Sequence, residues 1–266
     1  MNRALYAAAT GMAAQQQTLD VVADNLANAD VPGFKRAAAT FGAIGDNLGT
    51  IALGIRRLFE QGKLERSGGP FDVAIDGAGF FALERDGRHA YTRNGSFSRA
   101  SDGALRNADG WRLAGIRVPA EATAIDVASD GRVSIDLVGG KHREIGRVRL
   151  ALFAAPERLR SIGSALFAAT RESGAATTIV AGGARGPKLA FGMLERANVS
   201  IIEAMMAILA AQRAYEANAK GVQAADEMQR IANPLQSNAN DLQEHPLSST
   251  AELVHGFSPT RGHYGR

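Results

Sequence analysis

Histidines, carboxylate pairs, serines in tight turns and glycine-rich loops are where a chain could hold a metal, move a proton, attack a carbonyl or cradle a phosphate. The five histidines are dispersed: His89 and His142 fall in segments read as β loops, and His245, His255 and His263 recur at spacings of ten and eight in a polar C-terminal stretch. A metal there would need a fold to gather its ligands, and solvated polar side chains are the plainer reading. The carboxylates of the middle segment adjoin glycines, as in Asp76-Gly77, Asp86-Gly87, Asp102-Gly103, Asp109-Gly110 and Asp130-Gly131. That pairing makes turns rather than general acids. Neither G-x-S-x-G nor H-E-x-x-H occurs, and GGARGPK (182–188) lacks the Gly-Lys-Ser/Thr of a phosphate loop. Cysteine is absent, which removes disulfides, thiolate nucleophiles and Cys-based metal sites. The expectation is therefore no catalytic centre, no cofactor and no metal.

Composition points the same way. With 266 residues, 45% of them hydrophobic, the chain can bury a sizeable core in one large or two smaller domains. Thirty basic residues against 27 acidic ones leave a charge of only +3, spread along the chain with no basic run beside stacking aromatics. Nucleic acid is thus not an expected partner. No apolar run reaches the ~18 residues of a membrane span. Arg3 is the single early charge and Gln15, Gln16 and Gln17 interrupt any apolar leader, so no cleaved signal peptide is expected.

What the sequence does repeat is packing surface. Leu5, Met12, Leu19 and Leu26 lie seven apart, with Ala8, Ala9, Val22 and Ala23 on the intervening half-turns. This is the seam of a coiled-coil helix over residues 1–30, ended by Asn28-Ala29-Asp30 and then Pro32-Gly33. Leu194, Ile201, Ile208, Tyr215 and Val222 repeat the spacing near the other end. The capping box Ser200-x-x-Glu203 starts the regular helix there, and Asn233-Pro234 is expected to stop it. Residues 234–266, rich in Ser, Asn, Pro and Gly, read as a disordered tail.

Between the helices the period falls to two. FDVAID (71–76), RVSIDLV (132–138) and RVRLALF (147–153) alternate as half-buried strands do, and Asp-Gly and Asn-Gly pairs punctuate them. The predicted class is α+β: N- and C-terminal helices (1–30 and 194–233) paired as a coiled coil, a connector at 31–70, and a central antiparallel all-β domain at 71–193. Helices with such seams must bury them against each other, against other copies, or both. The pattern by itself does not choose between an ordinary intramolecular pair and polymer packing.

The stretch MNRALYAAATGMAAQQQTLDVVADNLANADVPGFKR (1–36) resembles the N-terminal signature of the bacterial flagellar axial proteins, the rod and hook family. In that signature an Asn-Leu-Ala-Asn helix end precedes a Gly-aromatic-Lys turn, matched by Asn25, Leu26, Ala27, Asn28, Gly33, Phe34 and Lys35. ERANVSIIEAMMAILAAQRAYEANAKGVQAADEMQ (195–229) resembles the family's other end, with Gln212, Arg213 and Tyr215 in its most specific part. QGKLERSGGPFDVAIDGAGFF (61–81) and YTRNGSF (91–97) resemble its middle, so the likeness spans 1–230.

The resemblance implies a structural subunit of the basal-body rod, the periplasm-spanning drive shaft between motor and hook. It implies self-assembly into a helical tube, with both terminal helices forming the inner core and ordering on assembly, and the β domain outermost. Export through the flagellar type III apparatus, without a cleaved leader, is part of the same implication. So are its partners: further copies, other rod proteins, the hook protein and, in a Gram-negative cell, the P- and L-ring proteins. Distal-rod members are nearest in opening residues and length. The short stretch 37–60, Val31-Pro32 before the glycine and the long C-terminal stretch depart from them. A proximal-rod member of the family therefore stays open as an alternative, as does an autonomous coiled-coil adaptor.

Overall fold

The structure is a computed structural model that describes residues 3–45, 49–183 and 186–244. Helix α1 spans Arg3–Ala27, an alanine-rich run of strong helix formers with no Pro. At its end the Asp24 carbonyl accepts both the Asn28 N–H, at 3.2 Å, and the Asn28 side-chain amide, at 2.7 Å, which satisfies a carbonyl of the last turn locally. Pro32 and Gly33 then prevent a restart. Helix α2 spans Ile201–Glu244. Ser200 caps it, its hydroxyl accepting from the Glu203 N–H at 3.3 Å, so the capping box starts the helix as expected.

Helix α2 does not stop at Asn233-Pro234; it runs on to Glu244 with Pro234 inside it. Proline in a helix removes one backbone donor and crowds the carbonyl four residues back, a local penalty of about 3 kcal/mol rather than an absolute bar. Pro234 is exposed, which leaves that carbonyl open to water. The tail expected from residue 234 is thus helical to 244, and 245–266, with His245, His255 and His263, lies outside the described residues. The expected connector is also more regular than its sequence suggested. Ala37–Ala43 and Thr50–Arg57 form an antiparallel hairpin lying along α1, with a register shift at Thr40/Phe41.

The chain passes into and out of the β domain through two short antiparallel pairs. Leu64–Arg66 pairs with Met193–Glu195, and Val73–Asp76 pairs with Lys188–Phe191. Because the outgoing and returning segments are side by side, α1 and α2 leave the domain together and pack along each other. Beyond these pairs lie a nine-stranded antiparallel sheet and the three-stranded meander Ala122–Val127, Arg132–Leu137, Lys141–Arg147. The turn pairs sit where the alternation broke. Asp86 and Gly87, at φ 51° and 72°, join Phe80–Arg85 to Arg88–Thr92, the two positive angles a type I′ turn requires. The fold is α+β, as the change of period indicated.

One apolar core, built from Ile75, Phe81, Leu83, Val118, Ile135 and Leu150 among others, fills the β domain. A second cluster of Phe59, Phe80, Tyr91, Phe153 and Phe167, packed edge to face, closes the end nearest the hairpin's exit at Arg57. Replacing fully buried Leu83 with Ala should lower the stability of this domain by about 2–5 kcal/mol, read as a shift in the urea midpoint of the near-UV signal. Val138→Ala, at a side chain 79% exposed, should move it by under ~0.5 kcal/mol.

Candidate functional site

The residues between α1 and the hairpin form a joint held by side-chain amides and one buried charge cluster. Asn25 is 7% exposed. Its amide brackets the backbone of Ala37, accepting from the N–H at 2.7 Å and donating to the C=O at 2.8 Å. This pair of bonds ties the last turn of α1 to the first residue of the hairpin, as a ladder partner would. Gly33 has φ 69°, and a Cβ there would run into the backbone of Arg93 and Asn94. Only glycine fits both demands. Its N–H donates to the Glu195 carbonyl at 2.7 Å. Phe34 is buried with the Arg57 guanidinium 5.1 Å from its ring centroid, and Arg57 donates to the Lys35 carbonyl at 2.8 Å.

At the centre is Glu195, wholly buried, on the strand that leads into α2. Its Oε1 accepts from Lys35 Nζ at 2.6 Å and from the Gly62 N–H at 2.9 Å, and its Oε2 accepts from Arg93 Nε at 2.7 Å. Lys35 donates further to the Glu60 carbonyl at 2.6 Å. The Arg93 guanidinium donates to the carbonyls of Gly77, Gly79 and Ile75 at 2.8, 2.7 and 3.1 Å. Two cations and one anion leave the cluster one positive charge in excess. Burial pushes the Lys35 ammonium below its usual pKa; Glu195 opposes that and the nearby Arg93 guanidinium adds to it.

Asn198 completes the joint. Its Oδ1 accepts from the Arg36 N–H at 2.7 Å, and its Nδ2 donates to the Leu58 and Glu60 carbonyls at 2.8 and 3.1 Å. The turn after α1, the end of the hairpin and the approach to α2 thus converge on two side chains, Glu195 and Asn198. Of the residues expected from sequence, Asn25, Gly33, Phe34 and Lys35 take part in the joint, while Leu26, Ala27 and Asn28 close the helix. Arg93, Glu195 and Asn198 were missed as functional residues. A signal was there: all three lie within the stretches 91–97 and 195–229 that resemble the family.

Within the single chain the contact between the helices falls mainly on positions outside the repeat of seven. On α1 the buried positions are Ala14, Val21 and Asn25, whereas Leu5, Met12, Leu19, Val22 and Leu26 are half-buried. On α2 the buried positions are Ala204, Ala211 and Ala225, with Ile208 and Val222 half-buried on the same side. Ile201 and Tyr215 are exposed, at 47% and 41%, and Gln212 and Arg213 are exposed as well. Leu194 is not in a helix; it lies in the strand Met193–Glu195. The reason is size. Alanines let the two helices approach closely, so the small residues take the contact and the large ones are turned aside. Ile202, Met205, Met206 and Leu209 are each more than half exposed, an apolar surface at the base of α2 with no partner among the described residues.

Two long terminal helices laid together, a buried joint and an antiparallel β domain between them define a protein built to position surfaces. Three family models match the chain. They are the flagella basal body rod protein model over residues 5–35, the flagellar hook protein FlgE/F/G D1 domain over 74–135, and the flagellar basal body rod FlgEFG protein C-terminal model over 191–235. The flagellar basal-body rod protein FlgG of Borreliella burgdorferi is 37% identical over 260 residues, covering 88% of this chain and 98% of its own. FlgG of Caulobacter vibrioides is 36% identical, over 85% of this chain and 96% of its own, and FlgF of the same organism is 28% identical, over 87% and 97%. The chain belongs to the flagellar basal-body rod protein family, on the FlgG side of it.

The charge excess orders the effect of substitutions. Lys35→Met leaves Glu195 paired with Arg93 and the cluster neutral, whereas Glu195→Leu leaves two buried cations without their carboxylate. The second should lose about 3–5 kcal/mol and the first clearly less, by urea unfolding of the purified chain. Equal losses would show that packing rather than charge sets the joint.

Proposed function

We propose that the chain is the distal-rod structural subunit of the flagellar basal body, polymerising through its terminal helices into the tube that carries torque from motor to hook. The observation that carries this reading is the apolar face of α2: Ile202, Met205, Met206 and Leu209 are 73%, 54%, 66% and 55% exposed in the single chain. Burying a side chain of this kind contributes roughly 1.5–3 kcal/mol. Four of them repeated at every copy make a strong drive to associate. FlgG relatives at 32–37% identity, against 28% for FlgF, favour a distal over a proximal subunit.

In this reading the terminal helices wind as a coiled coil within the inner layer. Leu5, Met12, Leu19, Val22, Leu26, Ile208, Tyr215 and Val222 complete their burial against other copies, Leu194 being part of the joint instead. The joint from Asn25 to Lys35 sets the angle at which the hairpin and β domain leave that layer. Other rod proteins, the hook protein and the ring proteins of a Gram-negative cell are the neighbours the position implies. Export through the type III apparatus delivers the chain, and no helix among the described residues is long and apolar enough to cross a membrane.

Met206→Asp and Leu209→Asp test the reading, because both side chains are exposed and neither supports the protomer's core. Each variant should keep the wild-type urea midpoint yet lose pelletable polymer and, in cells, motility. A carboxylate buried without a partner costs several kcal/mol at every copy. Variants that swim normally would remove this face from the assembly surface.

A further inference from the structure

Five Asp-Gly pairs and one Asn-Gly pair punctuate the chain, and in such pairs the backbone can attack the side chain before it, because a glycine nitrogen has no Cβ beside it. In four of the Asp-Gly pairs the fold occupies the attacking nitrogen. The Gly77 N–H donates to Gln61 Oε1 at 2.9 Å, and those of Gly103, Gly110 and Gly131 donate to backbone carbonyls at 2.9, 3.0 and 2.8 Å. Their carboxylates are held as well. Asp102 accepts from the Ala104 N–H and the Arg106 guanidinium, and Asp130 from the N–H and guanidinium of Arg132. The N–H groups of Ala104 and Arg132 hold these two carboxyls below the usual range, away from the neutral form that attack requires. Asp109 accepts from Asn107 and Ser164, and Asp76, most weakly, from Gln61 at 3.4 Å.

Asp86-Gly87 has neither restraint. Among the described residues the Gly87 N–H has no acceptor, and the nearest cationic nitrogen, Arg85 Nε, stands 3.7 Å from the Asp86 carboxylate, beyond a hydrogen bond. The Asp86 side chain is 87% exposed, and a Cβ on Gly87 would meet nothing within 4 Å. Asp86 also holds φ 51°, a left-handed angle that costs an L-residue energy. The hairpin ladder ends at the Arg85–Arg88 pair, so this turn can rotate without breaking it. Asn94-Gly95 is the opposite case. An amide leaves more readily than a carboxylate, so sequence alone ranks this pair first. Its surroundings clamp it: Asn94 Oδ1 accepts from the Ser96 N–H at 2.9 Å, the Gly95 carbonyl accepts from the Val73 N–H at 3.1 Å, and a Cβ on Gly95 would run into the Val73 carbonyl.

We propose that Asp86 is a modification site, the position at which the folded chain converts to isoaspartate. The Gly87 nitrogen attacks Cγ of the neutral Asp86 carboxyl; the amide proton and the carboxyl hydroxyl leave as water, and a five-membered succinimide forms. Water then enters at the α-carbonyl and breaks its bond to nitrogen, so the main chain runs through Cβ and Cγ and a free α-carboxylate is left beside Arg85 and Arg88. Nothing is oxidised or reduced, and the composition is unchanged. The partner that this product fits is a carboxyl methyltransferase selective for isoaspartyl α-carboxylates. The inference is independent of how copies pack.

The full-length chain, held folded at mildly acidic pH, is digested into peptides that separate the six pairs, and each is assayed for methyl uptake from S-adenosylmethionine with a purified isoaspartyl methyltransferase. The peptide spanning Asp86-Gly87 should take up roughly tenfold more methyl than any other Asp-Gly peptide, the factor expected where two ordinary hydrogen bonds must break first. Asn94 should gain no deamidation mass while the chain is folded and should overtake Asp86 in urea. Asp86→Glu, which keeps the charge but needs a less readily formed six-membered ring, should remove the signal at that peptide. Uptake shared evenly among the Asp-Gly peptides, faster conversion at Asn94 in the folded chain, or uptake at 86–87 that survives in Asp86→Glu would each overturn the proposal. So would a folded chain that keeps Asp86 intact over the time in which the urea-unfolded chain converts it.

Discussion

The carboxylate of Glu195 is the constraint on which the rest of this molecule depends. It is fully buried, and the groups that satisfy it come from three distant parts of the chain: Lys35 after α1, Gly62 after the hairpin, and Arg93 within the β domain. Buried ion pairs are poor sources of net stability, because the attraction between the charges does little more than offset their desolvation. Their effect is on geometry. An apolar plug at this position would tolerate sliding of the turn against the strand, whereas a carboxylate with each oxygen assigned to particular donors does not. The orientation of α1 and α2 relative to the β domain is fixed at this point.

The helix pair has the opposite character. Its internal contact is lined by Ala14, Ala204, Ala211 and Ala225, each able to bury only a methyl group, about 0.8 kcal/mol apiece. On α2, Ile202, Met205, Met206 and Leu209 are turned outward, while Ile208 and Val222 stay half-buried on the contact side. A rigid joint thus carries two helices whose mutual attraction is modest and whose unspent apolar surface faces away from the protomer. The division follows from side-chain size: alanine secures close approach within a copy, and Ile202, Met205, Met206 and Leu209 are left exposed on the other side of α2.

Much of this was legible from local pattern. The change from a period of seven to a period of two located the β domain, and the Asp-Gly pairs marked turns such as Asp86-Gly87. Ser200-x-x-Glu203 marked the start of α2. The misses have a common cause, which is that they turn on groups distant in sequence or on small differences in local energy. Leu194 matched the heptad by number, but Glu195 pairs with Leu64 across the sheet and holds it in a strand. Pro234 looked like a stop, but one missing donor does not end a long exposed helix. The hairpin at 37–57 was hidden because Ala37, Ala38 and Ala39 alternate in neither size nor polarity.

The charge cluster was the least legible feature and bears most directly on function. A lysine 1% exposed, with its pKa pushed down by burial and a carboxylate at 2.6 Å, resembles the activated lysine of an enzyme. What separates the two cases is access and unused valence. Lys35 directs its ammonium at Glu195 and at the Glu60 carbonyl, and Arg93 directs its guanidinium at Glu195 and three backbone carbonyls. The clefts lined by Asn25 and Ala204, by Phe71 and Ile125, and by Arg85 and Trp111 contain no residue of the trio. Lys35 spends these donors on a backbone carbonyl and one internal carboxylate, so the physics that perturbs a catalytic lysine here ties the turn after α1 to the strand before α2.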